Sequence, residues 1–192
     1  MNITAKVALR MIPDSLATQP IFLCVDDTMV AKAGTRFENV SKLFDHAAHN
    51  GSNYLNGHCF VSIMLCIPVW KNDRVSYLSL PLGYRMWQKK ESKLELAASM
   101  IRQVMPEFQE KKQVIILCDS WYTKRNLVSI VDEYLNLDLI GNARIDSVMY
   151  DPAPAHTGRR GRPAKHGKRL SVETDFAFSN ERSEITISEH TV

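Results

Sequence analysis

An apolar run that ends in two adjacent acids stands near the start of the sequence. Residues 21–25 (IFLCV) are followed directly by Asp26, Asp27 and Thr28. Consecutive apolar residues with β-branched and aromatic members are typical of a strand that is buried on both faces. Because burying an unpaired charge is costly, acids at the end of such a strand predict a position at the mouth of a sheet, where they reach solvent and a cation.

A second run of the same kind lies at residues 114–118 (VIILC) and precedes Asp119 and Ser120. If the two strands are parallel neighbours, their carboxyl ends meet at one edge of the sheet, and Asp119 lies close to Asp27. Side chains alternate along a strand, so only one of Asp26 and Asp27 can face Asp119. The alternative interpretation is that these acids are ordinary turn residues and that Asp119 caps the helix after it.

The remaining periodicities predict an α/β domain with the element order β-β-β-α-β-α-β. A tight polar turn at residues 71–74 is suited to a hairpin between the second and third strands. Three antiparallel strands followed by alternating helix and strand form the plan of the RNase H-like fold, in which the first and fourth strands are adjacent and parallel. The predicted strands are residues 21–28, 59–69, 75–82, 114–120 and 137–143, and the predicted helices are residues 38–49, 91–105 and 124–134.

The same patterns divide the chain into three parts. Residues 1–20 have no strong period and are expected to be a lead segment, the tail of a missing N-terminal region. Residues 21–145 form the predicted RNase H-like core. Residues 146–192 hold a basic segment and a weakly alternating edge strand at 184–188. No closing helix precedes Val192, so we expect a domain that is incomplete at its C-terminus.

Composition excludes several classes of protein. A chain of 192 residues with 45% hydrophobic content is long enough for one well-buried core. No apolar run reaches the roughly 18 to 20 residues of a membrane span, and the start lacks a signal-peptide core, so a cytoplasmic location is predicted. The cysteines lie inside apolar runs without a CxxC pair, which indicates core residues in a reducing compartment, with neither a disulfide nor zinc.

Positive charge is concentrated in one segment. Residues 157–169 contain six basic residues and no acid, and removing these six from the net charge of +3 leaves −3 for the rest of the chain. Residues 160–163 (RGRP) match the core of an AT-hook, which inserts arginines into the minor groove of A·T-rich DNA. The alternative is a solvated basic loop, but the charge favours contact with a DNA backbone. The candidate DNA-binding residues are Arg159, Arg160, Arg162, Lys165, Lys168 and Arg169.

Four segments together resemble the catalytic domain of DDE transposases of bacterial insertion sequences: residues 25–28 (VDDT), 56–58 (NGH), 117–120 (LCDS) and 158–163 (GRRGRP). The resemblance implies that two aspartates and a glutamate hold two divalent ions, Mg²⁺ or Mn²⁺. Asp27 and Asp119 match the aspartates as catalytic and metal-binding residues, since an acid directly before Thr favours Asp27 over Asp26. The family glutamate lies on a helix beyond the basic segment, so we expect it to be missing here.

The resemblance implies a DNA transposase that is truncated and catalytically incomplete. Its implied partners are transposon ends, target DNA and either a second copy of the chain or a full-length transposase. One alternative is a DNA-binding remnant or regulator of transposition that performs no chemistry. Another is an unrelated RNase H-like nuclease. We expect the chain alone to bind metal weakly and to cleave no DNA, because two aspartates hold a second ion poorly.

Overall fold

The computed structural model describes most of the chain, and its residues fall into two compact units. One unit comprises the described residues up to Asn142, and the other comprises those from Ser147 onward. The described residues are 1–34, 36–44, 53–108, 112–142, 147–155, 162, 164–171 and 174–175. The helices are α1 (Asn2–Arg10), α2 (Lys93–Val104) and α3 (Arg125–Val128). The strands are β1 (Ile21–Ala31), β2 (Ser41–Phe44), β3 (Tyr54–Lys71), β4 (Arg74–Met86), β5 (Val114–Cys118), β6 (Leu137–Gly141), β7 (Met149–Tyr150) and β8 (Arg169–Leu170).

One mixed sheet forms the centre of the first unit. Its strands follow the order β4-β3-β1-β5-β6, with β2 paired to the start of β3. β1 runs antiparallel to β3 and parallel to β5, and β5 runs parallel to β6. The predicted α/β fold is therefore confirmed, because the first and fourth strands of the predicted order are adjacent and parallel, as the RNase H-like plan requires.

The main core lies between one face of this sheet and helix α2. Alternate residues of β1, namely Ile21, Leu23 and Val25, are buried on this face with the apolar side of α2. The helix starts at a capping box, in which Ser92 and Glu95 satisfy each other's backbone N–H groups. β1 is thus covered on both edges by strands and on this face by a helix, which fixes the position of its acids.

The predicted hairpin between the second and third strands is confirmed. Lys71 pairs with Arg74 across a two-residue turn, and both turn residues have left-handed backbones, with φ of 50° at Asn72 and 57° at Asp73. Asn and Asp tolerate this conformation better than other non-glycine residues, and two such residues in succession match the twist of a hairpin.

A glycine of the NGH segment meets a steric need within β3. Gly57 pairs with Ala31 of β1 on one side and with Ser41 of β2 on the other. A Cβ atom at this position would lie 2.3 Å from the carbonyl oxygen of Val30. A side chain at residue 57 would therefore push β1 and β3 apart just beyond the two acids.

Two sequence predictions, for the lead segment and for residues 38–49, need correction. The lead segment, which was expected to have no regular period, contains α1, and the small residues Ala5 and Ala8 bury its inner side. The helix predicted at 38–49 is wrong over residues 41–44, which form β2 along the free edge of β3. Leu43 alone of these four is buried, and the left-handed Asn39 (φ 58°) ends any helix before them. Residues 45–49 of that prediction lie outside the described residues.

The second helix of the predicted core is shorter than its apolar pattern indicates. α3 spans one turn and continues as a 3₁₀ segment, Ser129–Glu133. Leu127 and Ile130 are its buried residues, so the predicted apolar side does face the core. The chain must return to β6 after a few residues, and the tighter 3₁₀ turn allows that.

The second unit contains a small antiparallel ribbon. Met149 and Tyr150 in β7 pair with Leu170 and Arg169 in β8, and the Tyr150 ring stacks on His166 with centroids 4.6 Å apart. The edge strand predicted at 184–188 lies outside the described residues. Across the described part of the chain, no helix is long and apolar enough to cross a membrane.

Candidate active site

The two candidate acids flank the point at which two central strands separate. The parallel pairing of β1 with β5 ends at Val25 and Cys118, and Asp119 is the next residue. β1 itself continues to Ala31 along β3, so Asp26 and Asp27 lie inside this strand. Their predicted position at its carboxyl end is therefore wrong. What ends after Val25 is the pairing with β5, and this leaves the β5 side of Asp27 open to other groups.

Asp27 is the acid of the pair that faces helix α2. Its side chain continues the inward series of Leu23 and Val25 and is 16% exposed. The Lys93 ammonium donates to Asp27 Oδ2 at 2.6 Å, and the Cys59 thiol donates to the same oxygen at 3.2 Å. Asp26 points to the opposite face and is exposed, and its Oδ1 accepts the Asp27 N–H at 2.7 Å.

Asp119 organises the turn that follows β5. Its Oδ1 accepts the backbone N–H groups of Trp121 at 3.0 Å and Tyr122 at 3.2 Å, and the residue is exposed. Helix α3 has Lys124 as its N-cap, so Asp119 does not cap that helix. The alternative interpretation of Asp119 as a turn residue is correct in part, since one of its oxygens holds the turn.

Tyr122 connects the two acids. Its backbone N–H binds Asp119, while its hydroxyl donates to Asp27 Oδ1 at 3.1 Å. The side chain is fully buried. Burial, followed by the charge of Asp27 and this hydrogen bond, raises the pKa of Tyr122 far above its usual value. The phenol therefore stays protonated and remains a donor to Asp27.

Lys93 is the cation of the site. It is the first residue of α2, and its ammonium lies 5.2 Å from the ring centre of Trp121 and 5.9 Å from that of Trp87. Burial alone would lower the pKa of Lys93, but the hydrogen bond and charge of Asp27 outweigh it and raise that pKa above its usual value. The site thus holds a charged ammonium, enclosed by a carboxylate and two indole rings.

A second lysine shares the same indole. The Lys124 ammonium lies 4.4 Å from the centre of the Trp121 ring. Lys124 is exposed, and its ring contact does not involve Asp27. Trp121 is half-buried, and Tyr122 is buried in the core.

The donor set suits a hard divalent cation. Asp27 and Asp119 supply carboxylate oxygens, which Mg²⁺ prefers, and the Asp119 side chain is exposed to solvent. Asp27 can bind such an ion only if the Lys93 ammonium moves away from its Oδ2. No group of three or more His, Cys, Asp or Glu side chains assembles among the described residues. The later glutamates, Glu173, Glu181, Glu184 and Glu189, lie outside them.

Sequence reasoning missed three groups at this site: the Lys93 ammonium, the Cys59 thiol and the Tyr122 hydroxyl. A signal existed for Lys93, since a cation directly after a capping serine opposes the helix dipole and indicates an acidic partner elsewhere. Burial, followed by the hydrogen bond to Asp27, raises the pKa of Cys59 to about 11. Cys59 reaches Asp27 diagonally across the paired strands β1 and β3. The sequence does not show which residues of the two strands lie opposite each other.

The described candidate DNA-binding residues belong to the second unit. Arg162, Lys165, Lys168 and Arg169 are all exposed, and Lys168 forms an ion pair of 2.7 Å with Asp175. Arg159 and Arg160 lie outside the described residues. An exposed basic strip is compatible with phosphate contacts, and their role in DNA binding stays a prediction.

Comparison with known proteins places the chain in a family. A search of curated protein sequences finds no match. Among solved structures, a chain of the Mos1 strand transfer complex aligns at 15% identity and a TM-score of 0.31, over 73% of this chain and 38% of that one. A TM-score this low does not by itself establish a common fold. The profile of the DDE superfamily endonucleases matches residues 2–188, so the resemblance to DDE enzymes is confirmed and the chain belongs to the DDE superfamily endonuclease family.

Proposed function

We propose that the chain is part of the catalytic domain of a DNA transposase, a class of enzyme that cleaves and joins DNA strands by metal-dependent phosphoryl transfer. One observation carries the proposal: in a chain of the DDE endonuclease family, Asp27 and Asp119 flank the parting of two central parallel strands and are joined through Tyr122. Open α/β sheets bind ligands beyond the carboxyl ends of their parallel strands, and the parallel pairing of β1 with β5 ends directly before these acids.

The residues of the site have distinct roles in this proposal. Asp27 and Asp119 would hold Mg²⁺ or Mn²⁺, and the ion would activate a water or a DNA 3′-hydroxyl and stabilise the leaving oxygen. Tyr122 holds Asp27 through its hydroxyl, and its backbone N–H holds Asp119. The contacts thus orient both carboxylates from one buried residue, Asp27 through its side chain and Asp119 through its backbone.

DNA is the proposed partner, bound at transposon ends and at the target. The basic residues of 157–169 contact phosphates, which gives affinity without sequence preference. A second copy of the chain, or a full-length transposase, is the proposed protein partner.

Metal binding tests the proposal directly. We expect the wild-type chain to bind Mn²⁺ weakly, and Asp27→Asn and Asp119→Asn each to weaken that binding about tenfold or more, because each removes an anionic ligand. The signal of free Mn²⁺ in electron paramagnetic resonance measures the affinity. Asp26→Asn is the matched control, since it removes the neighbouring charge from the opposite face of β1. Equal losses in all three variants, or none, would contradict the assignment.

Strand cleavage is a separate prediction. We expect no cleavage of a labelled transposon-end duplex by this chain with Mg²⁺ or Mn²⁺, because two aspartates fix a second ion poorly. Robust cleavage that is lost in Asp119→Asn and also in Glu181→Gln or Glu184→Gln would contradict this. It would place the third carboxylate among residues 173–189.

A DNA-binding remnant or regulator without chemistry is the second candidate. The observation that favours it is the Lys93–Asp27 ion pair, which already balances the acid that a metal would need. Under this alternative the chain binds DNA, and Mn²⁺ affinity does not depend on Asp27 or Asp119.

A further inference from the structure

The ion pair between Lys93 and Asp27 sets a condition on metal binding. We propose that Lys93 is the resident counter-ion of Asp27 and that its ammonium has to leave the carboxylate before a divalent ion can bind there. This inference rests on the proposed function, since it concerns the same carboxylate. It assigns Lys93 as a positioning residue that controls the metal affinity of the site.

The contacts of Asp27 show why the ammonium and a metal ion exclude each other. Lys93 Nζ lies 2.6 Å from Oδ2, and the Tyr122 hydroxyl lies 3.1 Å from Oδ1. A metal ion binds a carboxylate oxygen at about 2.0–2.6 Å, so an ion on Oδ2 would stand a few ångströms from the ammonium. Like charges at that separation repel strongly in a half-buried site. Asp27 therefore holds one cation or the other.

The position of Lys93 on its helix makes it costly for the ammonium to lose Asp27. A lysine at the first helical residue opposes the positive end of the helix dipole, and the capping box of Ser92 and Glu95 fixes that start. Asp27 offsets this cost. When a metal ion takes the carboxylate, the ammonium keeps the faces of Trp121 and Trp87 and needs a new anion.

A comparison of lysine variants tests the inference. Mn²⁺ affinity would be measured by electron paramagnetic resonance in the wild-type chain and in Lys93→Met, Lys93→Gln and Lys93→Arg. We expect the two neutral variants to bind Mn²⁺ about tenfold more tightly, because removal of a competing charge at a half-buried carboxylate is comparable to a decade in affinity. Lys93→Arg should resemble the wild type, since it restores the charge.

Lys124→Met is the matched control. It removes an ammonium from the same Trp121 ring without touching Asp27, so we expect unchanged Mn²⁺ affinity. Lys93→Gln keeps a polar group against the carboxylate and serves if Lys93→Met fails to fold.

The outcomes separate this inference from the proposed function. Unchanged or weaker Mn²⁺ binding in both neutral variants, with binding still lost in Asp27→Asn, overturns the role of Lys93 and leaves the metal site standing. Equal tightening in Lys124→Met overturns it too, because a general charge effect would then explain the change. No Mn²⁺ binding by any variant overturns both.

Discussion

Removal of charge from the basic segment is expected to abolish most of the DNA affinity of this chain at low salt. Each phosphate contact contributes a slope of about −0.9 to log K against log salt, so six Gln substitutions should flatten the slope by up to about five units. With about six phosphate contacts, the wild-type chain should lose on the order of a thousandfold in affinity between about 50 and 200 mM salt, and the substituted chain should lose much less. The substituted residues are Arg159, Arg160, Arg162, Lys165, Lys168 and Arg169.

The measurement is a salt series of fluorescence anisotropy titrations with a short duplex. The double variant Lys71→Gln, Arg74→Gln is the control, because both residues are exposed at the tip of the β3–β4 hairpin, outside the basic segment. Its slope should stay within about two units of the wild type, the most that two lost phosphate contacts could change. If the variant with six substitutions keeps the wild-type slope, the DNA site lies elsewhere on the chain.

Strands with strong patterns and short turns were predictable from the sequence. The apolar run of β1, the Asn72-Asp73 turn and the helical period of α2 each have a local cause, and local causes are visible in the residues themselves. Short or weakly patterned elements were not. β2 forms because β3 offers a free edge, and α1 forms around two alanines that carry little apolar signal. Both depend on partners that are distant in sequence.

In the candidate site, too, the features with a local cause were predictable and those that depend on distant partners were not. The alternation of side chains along a strand already predicted that Asp26 and Asp27 face opposite sides of the sheet. The structure places Asp27 on the side of α2 and Tyr122. The partners of Asp27 come from three separate elements, β3, α2 and the turn after β5. No spacing in the sequence encodes their convergence. The position of the acids inside β1 has the same origin, because β1 continues along its distant partner β3 after its pairing with β5 ends.

Tyr122 is where the core and the site meet, and replacing it with Ala is expected to destabilise the chain by about 3–5 kcal/mol. The ring is fully buried against the core, so its loss leaves a large cavity as well as a lost transfer free energy. Urea unfolding followed by circular dichroism measures the free energy of unfolding.

Tyr122→Phe separates the two roles of this residue. It keeps the ring in the core and removes only the hydroxyl that donates to Asp27, so we expect a loss of about 1–2 kcal/mol. Asp27 retains Lys93 and Cys59, which limits the cost. Should Phe destabilise the chain as much as Ala, the hydrogen bond to Asp27 would outweigh the packing of the ring. If instead Phe costs nothing, the hydroxyl does not hold Asp27 in solution, and the link between the two acids through Tyr122 would reduce to its backbone contact with Asp119.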